Sequence, residues 1–154
     1  MVEPPPARPH AVLFACGRNA VRSPMAEALC RQLFGASLYV ASAGVRKHAL
    51  DPFAVAAMEE IGIDISAHEP MTFEDLEDIE GLSFDLIVTL APEAHHNAVA
   101  LTHRIAADVE YWPTPDPTVI EGNRDQRLGA YRSVRDQLMD RILARFKPAA
   151  AAQV

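Results

Sequence analysis

Short apolar runs alternate with stretches of helical period along almost the whole chain, and this alternation restricts the fold more than any other feature. His10 to Ala15 (HAVLFA) reads as a buried strand. Ser23-Pro24 then opens a helix, because serine is a good cap and proline suits the first helical position. Met25, Leu29 and Leu33 follow at i, i+4 and i+8, and Gly35 stands where a C-cap would. Leu38 to Ala41 reads as a second strand, ended by Ser42-Ala43-Gly44. Asp51-Pro52 caps a second helix that runs through Glu60 and stops at Gly62. Phe73 to Ile79 is a short acidic helix, and Phe84 to Leu90 (FDLIVTL) is the clearest strand. Pro92 to Leu101 reads as a helix and Asp108 to Trp112 as a last strand. Arg124 to Phe146 is a long helix with Leu128, Tyr131, Leu138, Ile142 and Phe146 on one face. The order β-α-β-α-α-β-α-β-α predicts a three-layer α/β fold, a four-stranded parallel sheet with helices on both faces. Such sheets bind ligands beyond the carboxyl ends of their strands.

The sequence has 154 residues, enough for one domain. Pro4, Pro5, Pro6 and Pro9 mark residues 1–9 as an extended tail, and residues 148–154 read as a second tail, leaving 10–147 as the single folded domain. The net charge of −7 gives no general pull on nucleic acid or an anionic membrane, so neither is expected as a partner. Any anion must be held by a local site. No stretch approaches the roughly 18 apolar residues of a membrane span, and the N-terminus does not read as a signal peptide. Cys16 and Cys30 cannot form a disulfide framework, so a cytoplasmic setting is expected.

Residues 16–24 read CGRNAVRSP. Cys16 ends the first strand, and Ser23-Pro24 starts the helix. A strand–loop–helix turn of this size points successive backbone N–H groups inward, as a concave anion site completed by the helix N-terminus. Cys16 stands at its base, in surroundings that favour a thiolate. Arg22 offers a planar fork that matches two oxygens of a phosphate-like anion. A nucleophile, a cradle and a clamp together suit attack on a tetrahedral oxyanion such as a phosphate monoester.

This loop resembles that of the low-molecular-weight protein tyrosine phosphatases and of the arsenate reductases built on the same fold, whose pattern is Cys-x5-Arg-Ser directly after the first strand. The resemblance extends over about residues 10 to 147. It takes in Ser42-Ala43-Gly44, Gly62-Ile63-Asp64-Ile65-Ser66-Ala67-His68, FDLIVTL and a late Asp-Pro. It implies a flavodoxin-like fold of the phosphotyrosine phosphatase I type, a phosphate-binding loop of Gly17, Arg18, Asn19, Ala20, Val21, Arg22 and Ser23, and catalysis through a phosphocysteine. The expected substrate is a phosphate monoester, protein phosphotyrosine among the candidates. Two positions depart from the pattern. The second cysteine usual before the loop arginine is Val21, which removes a redox partner for Cys16. The glycine usual two residues after the nucleophile is Arg18, with Gly17 in the preceding position, which places a positive side chain at the mouth of the cradle.

Asp116, in Trp112-Pro113-Thr114-Pro115-Asp116-Pro117, follows the last strand and so lies at the same end of the sheet as Cys16. It is the candidate general acid for the leaving oxygen. By resemblance it also activates water against the phosphocysteine. The tyrosine usual soon after this Asp-Pro is absent; Thr118 stands there, which weakens the case for phosphotyrosine. Trp112 and Tyr111 are expected to pack in the core or against the last helix rather than to wall the cleft. Ser23 is expected both to donate to Cys16 and to cap the helix. Asn19 tolerates a left-handed backbone, and by resemblance Ser42 and His68 hold it there. No spacing suggests a metal site, His95, His96 and His103 read as a polar helix face, and no cofactor is expected. The acidic run Glu74 to Glu80 reads as a solvated face.

Two rivals stand beside the phosphatase reading. One is arsenate reduction, which needs a relay of thiols or an external thiol. Cys30 lies seven residues beyond Ser23, on the order of 10 Å at about 1.5 Å per residue. A disulfide wants Cα atoms within about 7 Å, so an internal relay through Cys30 is not expected and the reductant would be external. The other rival is a non-catalytic oxyanion-binding domain, against which the joint presence of Cys16, Arg22, Ser23 and Asp116 argues.

Overall fold

The structure, a computed structural model, describes residues 8–147. Of the tails read at residues 1–9 and 148–154, residues 1–7 and 148–154 lie outside the described residues. The elements run β1 (Ala11–Cys16), α1 (Arg22–Phe34), β2 (Tyr39–Gly44), α2 (Pro52–Glu59), α3 (Phe73–Glu80), β3 (Leu86–Thr89), α4 (Pro92–Leu101), β4 (Asp108–Tyr111) and α5 (Arg124–Phe146), with a 3-10 turn at Pro117–Val119. The strands form one parallel sheet in the order β2-β1-β3-β4. This is the four-stranded parallel sheet that the alternation predicts, in the flavodoxin-like arrangement that the resemblance implies.

Successive side chains of β1 point to opposite faces of the sheet. Val12, Phe14 and Cys16 enter a core built with α1, α2 and α5, while Leu13 and Ala15 enter a second core built with α3 and α4. Both faces of β1 are covered, which is why it reads as an unbroken apolar run. Full burial of a Leu or Phe here contributes about 1.5–3 kcal/mol. Phe14 meets Trp112 edge-on at 6.0 Å and Phe146 at 6.4 Å, so α5 closes over the sheet on the side that carries the loop after β1. Arg132 and Arg135 hold α5 to Glu60 at the end of α2.

Several local expectations shift. Helix α1 begins at Arg22, one residue before the expected cap, and its cap position Val21 makes no side-chain hydrogen bond. Ser23 therefore lies inside the first turn and does not cap. The buried stripe of α1 is Met25, Ala26, Leu29 and Cys30; Leu33 faces outward, 40% exposed. Strand β2 does not stop before Ser42-Ala43-Gly44 but runs through it. Gly35 stands at the C-cap in a right-handed conformation. Pro9, read as tail, is buried, and Arg8 donates to Ser37.

The chain leaves β1 toward β2 on one side and returns past it to β3 on the other. The sheet order thus reverses at β1, and its carboxyl end opens on the crevice that this topology leaves. No helix among the described residues is long and apolar enough to cross a membrane.

Candidate active site

The loop between β1 and α1 is held by its carbonyls. Val45 N–H donates to the Cys16 carbonyl (3.2 Å), Arg46 to Gly17 (2.8 Å), His48 to Arg18 (3.2 Å) and Asp51 to Ala20 (3.1 Å). Among the described residues, none of the N–H groups of residues 17–21 donates to another protein group. Buried amides without partners are rare, and a row of them is a place for an anion. Gly44 permits this approach: a Cβ there would fall 2.7 Å from the Asn19 nitrogen, against backbone that cannot yield.

Behind the cradle lies a buried polar network. The Ser23 hydroxyl is 2.9 Å from the Cys16 sulfur. Asn19 is fully buried and is the non-glycine residue of positive φ (52°) among the described residues. Its Nδ2 donates to Ser23 Oγ (2.8 Å) and to Ser42 Oγ (3.0 Å). Its Oδ1 accepts from Met71 N–H (2.8 Å) and lies 3.0 Å from His68 Nε2. Ser42 in turn donates to Glu27, whose carboxylate is 3.9 Å from His68 Nδ1. Burial presses the His68 imidazole below its ordinary value, against the upward pull of Glu27 and Asn19. The structure brings Asn19, Ser42 and His68 together as the resemblance implies.

Cys16 opens into a cavity of about 520 Å³ that Arg18, Arg22, Phe53, Asp116 and Arg127 also line. The Arg22 guanidinium donates to the Thr114 carbonyl (2.9 Å), which ties the clamp to the segment carrying Asp116. Asp116 accepts from both the N–H (3.0 Å) and the hydroxyl (2.7 Å) of Thr118. Burial raises the Asp116 carboxyl, but the two Thr118 donors, with Arg22 and Arg18, outweigh it and hold the group below its ordinary value. Asp116 is therefore ionised in the free protein near neutral pH. A proton on it comes with acid conditions.

Other residues lie away from the cleft. Trp112 is buried against Phe14 and Phe146 as expected. Tyr111 instead stays exposed and stacks on His95 at 4.8 Å, because β4 is an edge strand. Cys30 is fully buried in the core, and burial pushes its thiol up to about 12. No group of three or more metal-ligating side chains occurs among the described residues.

Sequence reasoning missed the parts that five residues play around the site. Glu27 joins the network, and its spacing of four from Ser23 on one helix face was the available signal. Gly44, read as a strand stop and as part of the resembling Ser42-Ala43-Gly44, also permits the close approach of the loop. Arg46 and Glu93 form a two-bonded ion pair (2.9 and 3.0 Å) beside Gly17, which leaves the room that Glu93 occupies. Asp51 caps α2 through Phe53 N–H (2.8 Å) and also accepts from the Tyr131 hydroxyl (2.7 Å), a link across 80 positions that no local pattern carries.

The chain is similar to known proteins over most of its length. The family model described as low molecular weight phosphotyrosine protein phosphatase matches residues 11–148. An arsenate reductase of Bacillus subtilis (strain 168) is 34% identical over 132 residues, 85% of this chain and 91% of that protein. A solved arsenate reductase in the phosphate binding state superposes with a TM-score of 0.66 at 30% identity, covering 87% of this chain and 94% of that one. A low molecular weight protein tyrosine phosphatase from T. tengcongensis superposes with a TM-score of 0.69 at 26% identity, covering 86% and 94%.

Proposed function

This chain belongs to the low molecular weight phosphotyrosine protein phosphatase family, and from that premise we propose that it hydrolyses phosphate monoesters through a phosphocysteine at Cys16. The observation that carries the reading is the row of unpartnered N–H groups at residues 17–21, opening on the same cavity as Cys16, Arg22 and Asp116. The cradle and the Arg22 fork bind the three non-bridging oxygens and meet their charge in the transition state. The Cys16 thiolate attacks phosphorus; the S–P bond forms as the P–O bond to the leaving group breaks. Asp116 delivers its proton to the departing oxygen. Water then attacks phosphorus, Asp116 takes its proton, and the S–P bond breaks to release inorganic phosphate and the thiolate. Ser23 steadies the sulfur when it leaves, 2.9 Å away.

A second reading has its own support. The Bacillus subtilis relative described above is an arsenate reductase, and sequence kinship favours that chemistry over hydrolysis. Here Cys16 would displace hydroxide from arsenate. An external thiol would then take over the Cys16 sulfur as a mixed disulfide, arsenic(V) leaving as arsenic(III), and a second thiol would release Cys16 as the thiol pair is oxidised. Cys30 does not serve as the internal partner, being fully buried in the core. The thiol inventory and the placement of Asp116 support hydrolysis, which needs no second thiol.

The test is direct. Purified protein and Cys16→Ser are assayed on p-nitrophenyl phosphate, and separately on arsenate with glutathione or another small thiol. Turnover of the ester, lost in Cys16→Ser, supports the phosphatase. Thiol-dependent arsenate reduction without ester turnover replaces it with the second reading.

A further inference from the structure

Arg18, Arg22, Arg46 and Arg127 line the cleft of Cys16. Two of them are already occupied. Arg22 donates to the Thr114 carbonyl, and Arg46 is matched by Glu93. Arg18 and Arg127 are exposed, and neither has a carboxylate partner among the described residues. The carboxylates nearby are committed elsewhere. Glu93 holds Arg46, Asp51 is held by Phe53 N–H and the Tyr131 hydroxyl, and Asp116 is held by Thr118. A chain of net charge −7 thus keeps, at the mouth of one cavity, two guanidinium groups with no ion-pair contact among the described residues.

Arg127 is also positioned. Its guanidinium carbon lies 4.5 Å from the centre of the Phe53 ring, a cation–π contact at the rim. Phe53 stacks as well on Tyr131, at 5.3 Å. The ring that could have walled the cleft for a phenol is therefore already engaged. The cavity of about 520 Å³ falls within the ordinary range of small-molecule sites and is far larger than a phosphate group, so the leaving group is expected to reach the rim.

We propose that Arg18 and Arg127 select substrates whose leaving group carries a second anionic group, such as a carboxylate, over those with a neutral phenol. This rests on the phosphatase reading. The second anion sits between two planar forks, each able to give paired N–H donors. It also has a consequence for the acid: Arg18 helps hold Asp116 ionised, and an anion on Arg18 relieves that pull and lets Asp116 take its proton.

The experiment separates this selection from turnover. Two non-hydrolysable aryl phosphonates are compared by calorimetry, one bearing a para carboxylate and the other the neutral carboxamide of the same shape. They are titrated into the wild type, Arg18→Gln, Arg127→Gln and the double variant. Each exposed charge-assisted contact adds a few-fold, so the carboxylate should bind about ten times more tightly to the wild type. That advantage should shrink in each single variant and vanish in the double, whatever happens to absolute affinity. Phosphopeptides with aspartate or asparagine beside the phosphotyrosine form a second arm. A preference confined to the phosphonates assigns the rim to small phosphorylated acids, and one in both arms assigns it to acidic segments. Equal affinity of the two phosphonates for the wild type, no binding of either, or an advantage that survives in the double variant would overturn the proposal. Failure of the phosphatase reading appears separately, as no turnover of any monoester.

Discussion

Replacing Asn19 tests how the cradle is held. Its side chain makes four hydrogen bonds, to Ser23, Ser42, His68 and the Met71 N–H, and it is fully buried. Asn19→Ala removes all four at about 1 kcal/mol each, and it leaves the Met71 amide without a partner. The backbone adds to this, since φ of 52° costs an alanine roughly 1–2 kcal/mol. The sum is about 5 kcal/mol, comparable to the lower bound of roughly 5–15 kcal/mol for a whole domain. Asn19→Gly loses the same hydrogen bonds but not the backbone conformation. Glycine ordinarily destabilises by roughly 0.5–1 kcal/mol relative to alanine, so the order of the two variants should invert here by up to about 1 kcal/mol. Urea unfolding monitored by the fluorescence of Trp112 reads both values. Both variants should also lose most activity on p-nitrophenyl phosphate, because Ser23 and the loop amides lose their anchor. Alanine as stable as glycine, or either variant active near the wild-type rate, would refute the reasoning.

Three further outcomes follow from the site. Arg22→Lys keeps the charge and loses the planar fork, so kcat/KM should fall by about 10²-fold or more, given what removal of one oriented donor costs at an oxyanion; steady-state kinetics on an aryl phosphate check it. Thr118→Ala removes a hydroxyl that stabilises the Asp116 carboxylate (2.7 Å). Asp116 should then titrate higher, and because the acid must be protonated, the descending limb of the pH–kcat/KM profile should move upward; an unmoved limb would detach Asp116 from it. Cys30 is fully buried, with its thiol pushed up to about 12, so native protein should take iodoacetamide at Cys16 and spare Cys30 until denaturant is added, as peptide mass spectrometry would show.

The fold was legible because β1 is buried on both faces, and because Asp51-Pro52 and the long stripe of α5 state their own boundaries. Of the two roles read for Ser23, the contact with Cys16 is present and the cap fails, for a physical reason. A serine before a proline signals a cap, but here the helix gains one residue at its start, and the hydroxyl is drawn to Cys16 and Asn19 instead. Strand β2 ran past its expected end because Ser42, Ala43 and Gly44 carry its pairing on beside Phe14, Ala15 and Cys16 of β1. Cys16, Arg22 and Asp116 were readable since Cys16 closes β1 and the other two follow strands, all at the carboxyl end of the sheet. Glu27, the Asp51–Tyr131 link and the Arg46–Glu93 pair depend on elements far apart in the chain, and only the assembled sheet brings them to one place.

The central claim, a phosphocysteine at Cys16, is tested most directly by trapping. Asp116→Asn is mixed with an aryl phosphate of good leaving group, quenched in acid within the first turnover, and the peptide that carries Cys16 is analysed by mass spectrometry. The account predicts a burst of released phenol matched by phosphate on the Cys16 sulfur, because formation of the S–P bond needs little help from the acid while its hydrolysis is slowed. Steady turnover of the ester with no phosphate on Cys16 would contradict it.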